Sequence, residues 1–191
     1  MPVFPGDIQA CLFQTHYISI SGYNDHRLEI GMHAGTHIDG PMHLTEIQDC
    51  ISDITLESFI GSGCVLDVRN QPSIQMKAEY EESVTTNSIV LLYTGMDKLY
   101  GHPEYFHSYP VISADLCEFF IKKRIKMLGM DTPSPDKHPY PIHKSLLQNW
   151  IYILENLTHL DSLPKQGFEI IALPLKIKAN SSPARVIARI Q

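Results

Sequence analysis

Short blocks of apolar residues, separated by polar clusters and by glycine, proline or asparagine, recur along the whole chain without any repeat or low-complexity tract. Blocks rich in β-branched and aliphatic side chains predict strands over residues 13–19, 28–33, 64–68, 89–93, 125–129, 169–177 and 185–190. Helices are predicted over 55–60 and over 114–124, where Ser113 can cap the amino end. One stretch reads two ways. Leu146, Leu147, Trp150, Ile151 and Leu154 follow a helical period, with Glu155 as a solvated charge at the end, whereas Ile151, Ile153 and Glu155 share one face of an extended strand. Strands interleaved with helices point to an α/β domain with a mixed sheet.

Residues 33–43, His-Ala-Gly-Thr-His-Ile-Asp-Gly-Pro-Met-His, break this pattern. In an extended conformation His33, Gly35, His37, Asp39 and His43 face one way, and Ala34, Thr36 and Ile38 the other. Fully extended, His33 and His37 would stand roughly 13 Å apart at Cα. A bend at Gly35 is therefore expected, where the missing Cβ would also leave room for an ion. A helix would also bring His33 and His37 together, but Gly35, Gly40 and Pro41 oppose a long one. Imidazole and carboxylate are costly to bury without partners and are the ligands that zinc or manganese takes in hydrolytic enzymes.

Composition narrows the setting. The chain has 191 residues, 43% of them hydrophobic, enough for a substantial core in one domain. No run of about 18 apolar residues occurs, so no membrane span is expected, and the N-terminus lacks a secretory pattern. A net charge of −6 argues against nucleic acid as a partner; Lys122, Lys123 and Arg124 read as a solvated helix end. Cys11, Cys50, Cys64 and Cys117 form no Cys-x-x-Cys pair and read as reduced, packed thiols of a cytoplasmic protein. The aromatic loop 101–107 is either a lid facing substrate or a loop with anchored rings.

The 33–43 segment resembles the His-x-Gly-Thr-His-x-Asp-x-Pro-x-His signature of the cyclase-type metal-dependent hydrolases, a family that includes bacterial kynurenine formamidase and isatin hydrolase. Pro2-Val3-Phe4-Pro5-Gly6-Asp7, the turn Gly129-Met130-Asp131-Thr132-Pro133-Ser134-Pro135-Asp136, and the closing stretches Ala172–Lys176 and Ser182–Arg185 are similar to further motifs of the same family. The resemblance implies the swivelling β/β/α fold in a single domain spanning 1–191, and a second ligand pair, His143 and Glu155, twelve residues apart. On one continuous helix these two would be about 18 Å apart. The resemblance thus favours a short helix near 144–149 followed by an extended run to Glu155.

The ligand set it implies is His33, His37, Asp39, His143 and Glu155, with Asp39 bridging two divalent ions, zinc in the family's habit with manganese as the alternative. His43 is implied as general base toward water or acid toward the departing nitrogen. Asp131 and Ser134 are expected either as acceptors behind the ligands or as an ordinary turn. The implied activity is hydrolysis of a small aromatic amide or formamide, with N-formyl-kynurenine leading. Opening of a cyclic amide, or an inactive metal-binding relative, are the alternatives. A homodimer or homotetramer is implied, and the absence of the short leading strand usual in relatives is expected to alter a substrate-side or subunit edge.

Overall fold

Buried apolar runs account for most of the architecture. The computed structural model describes residues 1–190. Its strands are β1 (Cys11–His16), β2 (Asp25–Glu29), β3 (His37–Asp39), β4 (Ile60–Asp67), β5 (Ser73–Ile74), β6 (Ile89–Tyr93), β7 (Val111–Ile112), β8 (Met127–Met130), β9 (Tyr152–Glu155), β10 (Phe168–Pro174) and β11 (Ser181–Ile190). Helices are α1 (Ile18–Ser21), α2 (Tyr80–Ser83), α3 (Pro103–His107), α4 (Ala114–Lys123) and α5 (Pro141–Gln148).

Seven strands close a barrel in the order β10-β11-β3-β9-β8-β6-β4. β4, β6, β8 and β9 run parallel, and the remaining neighbours are antiparallel. Alternate side chains build two cores. Ile38, Val65, Ile89, Leu91, Met127, Leu154 and Ile170 fill the barrel, while Val90, Leu92, Leu128, Met130 and Ile153 pack outward against Leu116, Phe120, Leu146 and Leu147 of α4 and α5. Burial on both faces explains why β6 reads as a continuous apolar run. Two interior positions are glycine because a side chain has no room. A Cβ on Gly63 would lie 2.1 Å from the Phe168 ring, and one on Gly129 would lie 2.6 Å from Leu91.

The mixed α/β reading holds, and β6 spans the predicted 89–93. Ser113 caps α4 by accepting from the Leu116 amide at 3.3 Å, and Arg124 ends the helix in the left-handed region, φ 53°. The double reading of 146–155 resolves into both elements. α5 stops at Gln148, Trp150 adopts φ 59°, and the chain continues as β9. Other boundaries shift. The predicted strand 13–19 gives way to α1 after His16, because the chain must turn back at Gly22 (φ 79°) to pair β1 with β2. The predicted strand 28–33 starts and ends early for the same register reason, and the predicted helix 55–60 is a 3₁₀ turn over Leu56–Phe59. Among the described residues, no helix is long and apolar enough to cross a membrane.

Candidate metal centre

β3 and β9 are antiparallel neighbours in which His37 lies opposite Glu155 and Asp39 opposite Ile153. Ile38 and Leu154 point into the barrel, so His37, Asp39 and Glu155 project from its outer face. α5 packs on that face and delivers His143. The bend ahead of β3 occurs at Gly35, φ 66°, and turns His33 back until its Nδ1 is 2.9 Å from Asp39 Oδ1. Gly35 permits the turn, and the space its Cβ would fill faces the Met1 thioether at 2.9 Å.

His37 Nε2 stands 3.4 Å from Asp39 Oδ1 and 3.3 Å from Glu155 Oε2. His143 Nε2 stands 3.5 Å from Asp39 Oδ2 and 3.2 Å from Glu155 Oε1. Despite these approaches, His37 Nε2, both Asp39 oxygens and Glu155 Oε1 are buried without a hydrogen-bond partner among the described residues. Atoms this close without bonding geometry are aimed at a shared point between them, and orphaned carboxylate oxygens at such depth are costly unless a cation sits among them. Nitrogen and oxygen donors of this kind suit zinc, manganese or iron. Two ligand sets meet the spacing for an ion: His33, His37 and Asp39, and Asp39, His43 and His143. His43, expected as a general base or acid and not as a ligand, thus also stands within ligand reach.

The electrostatics follow the same crowding. Burial works against charge on His37, but Asp39 and Glu155 outweigh it and push its pKa up to about 10. Burial would raise the Asp39 carboxyl, yet His37, His143 and His33 hold it well below the usual range. His143 is opposed by burial and raised by Asp136, Asp39 and Glu155. In contrast to His37 and His143, His43 is lowered: burial outweighs the pull of Asp39.

Behind the ligands, Asp136 accepts from His143 Nδ1 at 2.7 Å and from the amides of Ile142 and His143 at 2.6 and 3.3 Å. One carboxylate therefore orients the imidazole and starts its helix. Asp131, expected either as an acceptor behind the ligands or as a turn residue, accepts from the Thr94 and Gly95 amides and the Thr94 hydroxyl, because β8 places it next to the loop that follows β6. Ser134 binds Asp136 backbone atoms and lines the pocket without touching a ligand. Asn180 sits 3.1 Å from both His33 Nε2 and His43 Nδ1. Asp136 lies inside the 129–136 motif, where nothing local separates it from Asp131; Asn180, at the tip between β10 and β11, carries no local signal at all.

The cluster floors a cavity of about 190 Å³ whose walls include Phe4, Tyr100, Phe106 and Tyr140. A cavity of 150 Å³ admits benzene, so this one accommodates an aromatic ring with a short substituent. The loop 101–107 is partly helical: Tyr105 is anchored at 0% exposure, and Phe106 meets Phe4 edge to face with centroids 5.8 Å apart.

The Cyclase family model matches residues 1–137. Kynurenine formamidase of Bacillus cytotoxicus is 31% identical over 168 residues, covering 85% of this chain and 78% of that protein. The enzyme of the same name from Bacillus cereus is 32% identical over 170 residues, with the same coverage. Among solved structures, isatin hydrolase A from Labrenzia aggregata bound to benzyl benzoate superposes with a TM-score of 0.88 at 26% identity, over 100% of this chain and 89% of that one. A structure described as a potential metal-dependent hydrolase with cyclase activity has a TM-score of 0.81 at 22% identity over 100% and 92%, a likeness of fold.

Proposed function

Because the chain belongs to the Cyclase family, we propose that it is a single-domain, metal-dependent amide hydrolase that cleaves N-formyl-kynurenine to kynurenine and formate. The observation that carries this reading is the set of orphaned buried donor atoms of His37, Asp39 and Glu155 beneath an aromatic cavity. His33, His37, Asp39, His143 and Glu155 would hold two divalent ions per subunit, zinc first and manganese as the alternative. The two Asp39 oxygens face different imidazoles, Oδ1 toward His33 and His37 and Oδ2 toward His143, which supports a bridging role. Bound ions supply Lewis acidity at the carbonyl and lower the pKa of water.

The chain's own residues do the rest. Phe4 and Phe106 orient the ring and exclude water from the floor of the cavity. His43 carries the proton: it takes one from the attacking water and returns it to the aniline nitrogen as the C–N bond breaks, while Asn180 Nδ2, 3.1 Å from His43 Nδ1, holds the ring in place. Burial keeps His43 in its neutral, proton-accepting form near neutral pH.

Ring opening of isatin is the second reading, favoured by the superposition on isatin hydrolase A. Metal-reconstituted protein should release formate from N-formyl-kynurenine with a larger kcat/KM than it opens isatin. The reverse order would favour the second reading. Full metallation with neither substrate turned over would leave a metal-binding relative without this activity.

The four free cysteines fit a reducing compartment, the cytoplasm. The assembly we propose is a homodimer built on the β1–α1–β2 arm. Among the described residues this two-stranded sheet pairs with no other strand, and Leu12, Phe13, Tyr17, Ile18, Ile20 and Leu28 are 48–84% exposed along it. Burying these six apolar side chains against a second copy would take a contiguous hydrophobic patch out of water. Replacing Leu12 and Ile20 with lysine should convert a dimer into a monomer in analytical ultracentrifugation. An unchanged sedimentation coefficient would move the interface elsewhere.

A further inference from the structure

A chain of polar contacts that takes no part in the chemistry above ties the aromatic wall to the metal bend. Asn156 follows Glu155 and adopts φ 56°, a left-handed conformation that asparagine tolerates better than most residues. Every polar group it has is used. Its amide donates to Thr132 O at 3.1 Å, and its carbonyl accepts from the Thr36 hydroxyl at 2.7 Å. Its side-chain oxygen accepts from the Tyr105 hydroxyl at 2.7 Å, and its side-chain nitrogen donates to Gly35 O at 3.0 Å. That same Gly35 carbonyl accepts from His37 Nδ1 at 2.8 Å. A carbonyl at Nδ1 selects the tautomer whose Nε2 lone pair faces Asp39 and Glu155, the form a cation requires.

We propose that Tyr105 and Asn156 are positioning residues for the metal centre. Through the Gly35 carbonyl they hold the bend and the His37 ring in the orientation that binds the ion. Tyr105 is fully buried on α3, the helix that also presents Phe106 to the cavity, so the link joins the substrate wall to the ligands. Burial pushes the Tyr105 hydroxyl up, so it remains a donor across the working pH range. This inference rests on the proposed metal-dependent hydrolase and adds residues that no ligand motif contains.

The test compares zinc affinity, by chelator competition, and the visible spectrum of the cobalt-substituted protein, in the parent and three variants. Tyr105→Phe removes one hydroxyl and keeps the ring; Asn156→Gly keeps the left-handed backbone accessible and removes both side-chain bonds. Each should weaken zinc about 10- to 100-fold, the usual effect of losing a group that orients a ligand, and alter the cobalt bands. Tyr100→Phe deletes a hydroxyl that bonds Pro2 O, from a ring packed on Tyr105, and should leave zinc affinity within twofold. Thermal unfolding checks that the variants are folded. A parent that binds zinc while Tyr105→Phe and Asn156→Gly match it in affinity and spectrum would overturn the link alone. A parent that takes up no divalent ion would overturn the hydrolase reading and the link with it.

Discussion

Replacing Asp39 with alanine should strip the protein of metal. Asp39 is 1% exposed, its two oxygens face opposite sides of the cluster, and both ligand sets include it. Its removal leaves His33, His37 and His143 converging on a void with Glu155 as the remaining nearby ligand carboxylate, so two cations would repel each other with half of their compensating charge gone. Affinity should fall by more than the roughly 100-fold that marks the loss of an outer, orienting residue, and turnover should disappear with the ions. Elemental analysis after gel filtration reads the outcome directly. Retention of both ions at full occupancy rules out the bridge. Loss of one ion with the other held tightly would restrict Asp39 to a single set.

Replacing His43 with alanine should instead separate metal content from rate. As a proton carrier, His43 contributes a factor of about 10² to 10⁴, so kcat should drop by that much while ion stoichiometry stays near that of the parent. The geometry makes this experiment sharper than the sequence suggested, since His43 also stands within ligand reach of Asp39 and His143. A fall to one ion per subunit would assign His43 as a ligand and pass proton transfer to another group. Full metal with parental turnover would remove it from the mechanism altogether.

The contrast between His43 and its neighbours shows where local pattern is enough. Imidazoles and a carboxylate at alternating positions, interrupted by glycines and a proline, identify metal chemistry because ligand type belongs to the side chain and alternation belongs to the strand. The 89–93 strand and the Ser113-capped helix were legible for the same reason: their signals lie within a few residues of the elements they define. Residues 146–155 were not legible from periodicity, because helical and extended readings place the same apolar residues against a core. The switch at Trp150 depends on β9 finding β3 and β8. Nor could pattern choose between Asp131 and Asp136. Both follow β8 in one short turn, and only the packing of α5 decides which carboxylate meets His143.

By itself, then, the amino-acid order determined the chemistry available to this protein: which atoms can bind a cation, which side chains share a face, and which runs must be buried. Tertiary structure alone decided that residues over a hundred positions apart meet at one point. The register of β3 against β9 brings His37 opposite Glu155, and the closure of the barrel brings Asn180 between His33 and His43. Such convergence depends on long-range pairing, whose energy comes from buried surface shared among distant segments and leaves no mark on any one of them.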